Sequence, residues 1–122
     1  MKQEMLINVS QPEECRIAIV ENGKALSGKA RLGHINRAVN LAIRYVDDFK
    51  AHGFIGVWTS PLMTLAAHAG DCEDYAIVKY AALLEAGVPA DDVRMLIVRN
   101  AARGEDHAVV SVRHEGQWLI LD

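Results

Sequence analysis

The residues best equipped for chemistry are a thiol set among carboxylates, in Gly70-Asp71-Cys72-Glu73-Asp74-Tyr75. Gly70 closes a loop and a 3.6-residue apolar period begins at Ala76, so Cys72 is predicted at a helix start. Free amides and the helix dipole there favour an anion, which activates a thiol as a nucleophile. Asp71, Glu73 and Asp74 oppose this, because nearby negative charge raises a thiol pKa. A nucleophilic Cys72 therefore needs a compensating cation. The competing reading is a small cysteine that merely fills a core.

His107 can supply that cation. It precedes an apolar strand pattern that runs to Arg113, and Glu115-Gly116 reads as a two-residue hairpin turn into Trp118–Leu121. With that turn, His114 pairs with Gln117 and Val109 pairs with Asp122. Side chains alternate along a strand, so His107 and Asp122 fall on one face, about 7–8 Å apart on the diagonal. Cys72, His107 and Asp122 thus form a nucleophile, a base and a group that orients the base. A three-residue turn would break the register.

The acids around Cys72 have two further readings. Carboxylates in a first helical turn are favourable by themselves. Asp71 and Glu73 are also hard oxygen ligands of the kind calcium takes, though two or three acids are a beginning of a shell and not a shell. His34, His52, His68 and His114 lie at helix or strand positions with no partner spacing for zinc. The chain has neither a glycine-rich phosphate loop nor a basic stripe with interleaved aromatics.

These side chains need a scaffold. The chain has 122 residues, 51% hydrophobic and 24% charged, which suits one folded domain and excludes intrinsic disorder. Its 13 basic and 16 acidic residues give a net charge of −3, against a general binder of nucleic acid or anionic membrane. Two cysteines, Cys15 and Cys72, are too few for a disulfide framework. No secretory leader or membrane span is visible in the sequence. Met5–Val9 and Cys15–Val20 read as strands with Asn22-Gly23 as a hairpin turn. Leu32, Ile35, Val39, Ala42, Val46 and Phe49 mark an amphipathic helix over residues 30–51. Thr59-Ser60-Pro61 starts a short helix that runs to about His68. The helix from Cys72 is stopped by Gly87 and Pro89. Residues 93–99, 107–113 and 118–121 are predicted strands. Helices followed by an antiparallel sheet make the class α+β.

Several blocks together resemble the bacterial transglutaminase-like cysteine proteinases. They are Trp58-x-x-Pro61, Gly70-Asp71-Cys72-Glu73-Asp74-Tyr75-Ala76, Leu84-x-x-Gly87-Val88-Pro89, Glu105-Asp106-His107-Ala108-Val109 and Trp118-Leu119-Ile120-Leu121-Asp122. The resemblance covers roughly residues 30–122. It implies a papain-like, transglutaminase-like core and a Cys-His-Asp triad on Cys72, His107 and Asp122. It also implies a periplasmic, calcium-dependent protease that releases large biofilm adhesins, with calcium acids at Asp71 and Glu73. Residues 4–24 instead resemble the opening strands of ribonuclease E/G proteins. Met63 stands where that proteinase family often has a polar or acidic residue, and the family normally continues past Asp122.

The expectation is therefore an N-terminal β-hairpin segment, residues 1–26, joined to a C-terminally truncated protease domain, residues 27–122. The expected activity is that of a cysteine endopeptidase working through a thioester, with Ca²⁺ as cofactor. Its oxyanion donors would be the Cys72 amide and one further group, for which the Trp58 indole is a candidate although a core aromatic is the more ordinary reading of that residue. The alternatives are an inactive protease-fold binding module and a transglutaminase-type acyltransferase. Expected partners are a protein or peptide substrate, with no nucleic acid and no membrane, and a second copy through the N-terminal edge strands.

Overall fold

A computed structural model of the chain describes residues 2–46, 60–102 and 104–122, with the main chain alone over 2–12 and at 100. It begins with a 23-residue helix, α1 (Lys2–Lys24). The hairpin expected over residues 1–26 is corrected here, and so is the pairing of copies through its edge strands. The physical reason lies in the side chains of the last three turns. Cys15, Ile19 and Gly23 recur at steps of four, a helical stripe, and Ile19 and Val20 are buried in the common core. Gly23 is no turn residue. A Cβ there would sit 3.0 Å from Ile35 Cγ1, so the glycine lets α1 approach the next helix closely.

That helix, α2 (Gly28–Ala42), buries the expected stripe of Leu32, Ile35 and Val39. It ends one turn short of Val46. Ile43 is extended, and the chain enters β1 (Arg44–Tyr45), which runs parallel to β2 (Ala69–Gly70). The Arg44 amide donates to His68 O at 2.8 Å and the Val46 amide to Gly70 O at 2.9 Å. Strand pairing has captured residues that helical periodicity assigned to the helix. Phe49, His52, Trp58 and Thr59 lie outside the described residues.

The short helix α3 (Pro61–Ala67) has the predicted start, with Pro61 in its first turn and the Ser60 hydroxyl accepting from the Met63 amide at 3.2 Å. Helix α4 (Cys72–Glu85) follows, then a 3₁₀ turn (Ala90–Asp92) and the strands β3 (Val93–Asn100), β4 (Glu105–His114) and β5 (Gln117–Leu121). The three strands form one antiparallel sheet in the order β3-β4-β5. Glu115 and Gly116 both have positive φ, 52° and 79°, so the β4–β5 connection is the two-residue turn that the register requires.

Helix α4 lies between this sheet and the other helices. Val93, Val110, Val112 and Leu121 meet Leu83, Ile35 and Val39 in one apolar cluster. On the opposite face of the sheet, Trp118 is flanked by Arg94 at 4.0 Å and Arg113 at 5.4 Å, which pins β5 alongside β4. Among the described residues, no helix is long and apolar enough to cross a membrane.

Candidate active site

The start of α4 is fixed by a reciprocal cap. Asp71 is the N-cap, and its Oδ1 accepts from the Asp74 amide at 3.1 Å. Asp74 Oδ2 in turn accepts from the Asp71 amide at 3.0 Å. Two orphan amides of the helix start are satisfied at once. Gly70 is part of the same packing, since a Cβ there would lie 2.6 Å from the Asp74 Cβ. Gly70, Asp71 and Asp74 thus serve architecture, and what they present is Cys72 in the first helical position.

Sγ of Cys72 accepts from the Ala108 amide at 3.5 Å, so the thiol sits against β4 beside His107. Burial pushes the Cys72 thiol above its ordinary value. The Ala108 hydrogen bond pulls it down, Asp71 and Glu73 add to the rise, and the Glu73 amide lowers it. The surroundings therefore disfavour the thiolate.

The register places Val110 opposite Leu121, which brings Asp122 beside His107. His107 Nε2 lies 2.9 Å from Asp122 Oδ1. A carboxylate only accepts, so the ring proton belongs on Nε2 and Nδ1 is left as the basic nitrogen. Both side chains are well exposed, and solvent limits this contact to about 0–1 kcal/mol of stability. Its value is orientation. Cys72, His107 and Asp122 line one cavity of about 140 Å³, with Tyr45, Tyr75 and Lys79.

Among the described residues, the other histidines lie elsewhere. His68 is a left-handed helix cap whose Nδ1 lies 3.1 Å from Ala42 O, and His114 Nε2 is 3.8 Å from Glu115. Trp58, the expected oxyanion donor, lies outside the described residues. Met63 is exposed on α3.

Asp71 and Glu73 do not by themselves make a calcium centre. Asp71 already spends one oxygen on the cap. Among the described residues no three histidine, cysteine or acidic side chains converge as metal ligands would.

Sequence reasoning passed over Asn36, Asn40 and Lys79. Lys79 shares a helical stripe with Cys72, Ala76 and Leu83, yet it is buried. A lysine at a core position of that stripe was the available signal. Asn36 and Asn40 stand one turn apart, beside the apolar stripe of α2, and both reach Asp122.

Residues 7–122 match the family of bacterial transglutaminase-like cysteine proteinases. The chain belongs to that family. Among solved structures it is similar to LapG of Legionella pneumophila in its EGTA-treated form, at 29% identity and a TM-score of 0.78. That match covers 92% of this chain and 61% of LapG, so the chain spans less than two thirds of that relative. The calcium-bound form of LapG is similar at 24% identity and a TM-score of 0.59, covering 88% of this chain and 71% of that one. A TGase shares the fold at 15% identity and a TM-score of 0.63, over 98% of this chain and 32% of its own. No curated protein matches the chain. The family match begins at residue 7, within the segment 4–24 expected to lie outside that family. The fold is the expected α+β, transglutaminase-like core.

Proposed function

We propose that this chain is a thiol endopeptidase with Cys72 as nucleophile, His107 as base and Asp122 as the group that orients the base. The observation that carries the reading is the 2.9 Å contact from His107 Nε2 to Asp122, made in the cavity that also holds Cys72. It leaves Nδ1 free to take the thiol proton. Burial disfavours the thiolate, so in this scheme His107 takes the proton as Sγ attacks the peptide carbonyl. The C–N bond then breaks, the amine leaves with the proton from Nδ1, and a thioester remains on Cys72. Water, deprotonated by the same nitrogen, cleaves the thioester and restores the thiol. The Cys72 amide, in the first turn of α4, is the first oxyanion donor in this scheme, and Trp58 is the second.

The substrate in this reading is a protein of the large surface-adhesin class, met in the periplasm. Asp71 and Glu73 are the residues that would hold a calcium ion, whose charge would support the helix start. A calcium titration followed by thermal unfolding is expected to raise the midpoint, as for any ligand specific to the folded state. No rise, or the same rise in an Asp71→Ala, Glu73→Ala variant, removes calcium from these residues.

An epoxysuccinyl peptide probe tests the catalytic reading. It is expected to label Cys72 and spare Cys15, and His107→Ala is expected to abolish the labelling. Equal labelling of both thiols, or labelling indifferent to His107, would leave a protease fold that binds without cutting.

A further inference from the structure

Three donors from two helices converge on the end of β5. On α2, Asn40 Nδ2 donates to the main-chain oxygen of Asp122 at 3.1 Å, and Asn36 Nδ2 to the same oxygen at 3.4 Å. On α4, Lys79 Nζ donates to the oxygen of Leu121 at 3.5 Å. The Lys79 side chain is buried. Burying an ammonium carries a heavy desolvation penalty, so its retention on the core stripe of α4 calls for a role. Nζ also lies 6.0 Å from the centre of the Tyr75 ring, and Lys79 lines the cavity of Cys72 and His107.

The position of these donors is telling. Asp122 follows the last residue of β5, where the sheet ladder no longer holds the chain. Its carboxylate is exposed, and nothing in the ladder fixes the main chain that carries it. Asn36, Asn40 and Lys79 hold that main chain through the main-chain oxygens of two successive residues and leave both side-chain carboxylate oxygens for His107. We propose that these three are positioning residues, which clamp the end of β5 so that Asp122 keeps the His107 ring in its Nε2–H form. The inference rests on the reading of Asp122 as the orienter of His107. None of the three touches substrate in this scheme. They act through Asp122.

The ring tautomer provides a test that does not depend on catalysis. In ¹⁵N spectra of the full chain, His107 is expected to show the pattern of a proton on Nε2. Asn40→Ala and Lys79→Met are each expected to shift His107 toward a mixture of tautomers, and the double variant further. Inactivation by an epoxysuccinyl peptide should slow in its maximal rate, on the order of ten- to a hundredfold in the double variant, with the half-saturating concentration unchanged. Asn40 is exposed, so Asn40→Ala decides the matter should Lys79→Met fail to fold. A His107 ring that keeps the Nε2–H pattern in the folded variants overturns the clamp. If the wild-type chain is not inactivated while the variants still shift the ring, the clamp stands and the endopeptidase reading falls.

Discussion

Two cavities share α4 as a wall, and the larger has the poorer chemistry. The groove on the side of α1 and α3 encloses about 280 Å³ and is lined by Ile19, Val20, Leu62, Leu65, Val78 and Ala82. Its charged groups, Arg16 and Glu85, are bound to each other at 2.9 Å. The cavity on the side of the sheet holds about 140 Å³, half as much, with the thiol, the imidazole, a carboxylate and a buried lysine. The helical period separates them. Cys72, Ala76 and Lys79 face one way, and Val78, Ala82 and Glu85 the other. Volume measures how imperfectly elements pack, whereas reactivity needs polar groups aimed at one another.

If the small cavity alone carries the chemistry, Cys72→Ala should lower hydrolysis by on the order of 10⁴ or more, with the fold intact by circular dichroism. His107→Ala should cost nearly as much, and the double variant little more, because the members act as a unit.

The groove should answer in stability instead. Leu65 is 2% exposed at its wall. Leu65→Ala is expected to cost about 2–5 kcal/mol in urea unfolding and to leave the labelling rate of Cys72 in the folded protein unchanged. Equal damage to both would mean that the two sides of α4 are mechanically coupled.

Lys79 gives the sheet side a pH signature. Burial lowers its pKa below the ordinary lysine value of 10.5, with Asp122 opposing. In that window the unfolded chain binds more protons than the folded one, so this group makes stability rise as pH climbs from the lowered value to the ordinary one. The expected finding is that Lys79→Met removes this rise, measured as the difference between the two unfolding curves across the alkaline range. An unchanged difference would place the ammonium in water.

The smallest effect is the sharpest. Asn caps a helix about as well as Asp, so Asp71→Asn should keep α4 and remove one of the charges that hold the thiol up. Iodoacetamide labelling of Cys72 at neutral pH is expected to speed up by about two- to fivefold. A slower rate would show that the carboxylate helps the thiol.

What the sequence made legible follows from the range of the forces involved. The β4–β5 register was readable because a two-residue turn fixes pairing within a few residues of itself, and Gln117 does lie opposite His114. The helix start at Cys72 was readable because its cap is local. The first 26 residues misled because their signal belongs to a partner. Asn22-Gly23 is a hairpin turn by local rule, and only Ile35 on another helix makes the glycine a packing residue. Val46 was lost to the same cause, a strand whose partner lies some 24 residues away. What the donors to the end of β5 reach was invisible for a different reason. Asn36, Asn40 and Lys79 reach across 86, 82 and 42 residues, to main-chain atoms that any residue type supplies.

The order of the site residues along the chain has a consequence for a protein emerging from the ribosome. Cys72 precedes His107, and His107 precedes Asp122, by about 50 residues in all. At ~5–20 residues per second the thiol is made several seconds before the carboxylate. The β4–β5 ribbon that brings His107 to Asp122 closes within ~1–10 μs once both strands are free. Throughout that interval the nascent chain carries a thiol whose proposed base has no fixed direction. If the proposed triad cuts, that ability would have to wait until β5 docks against β4 and brings Asp122 to His107.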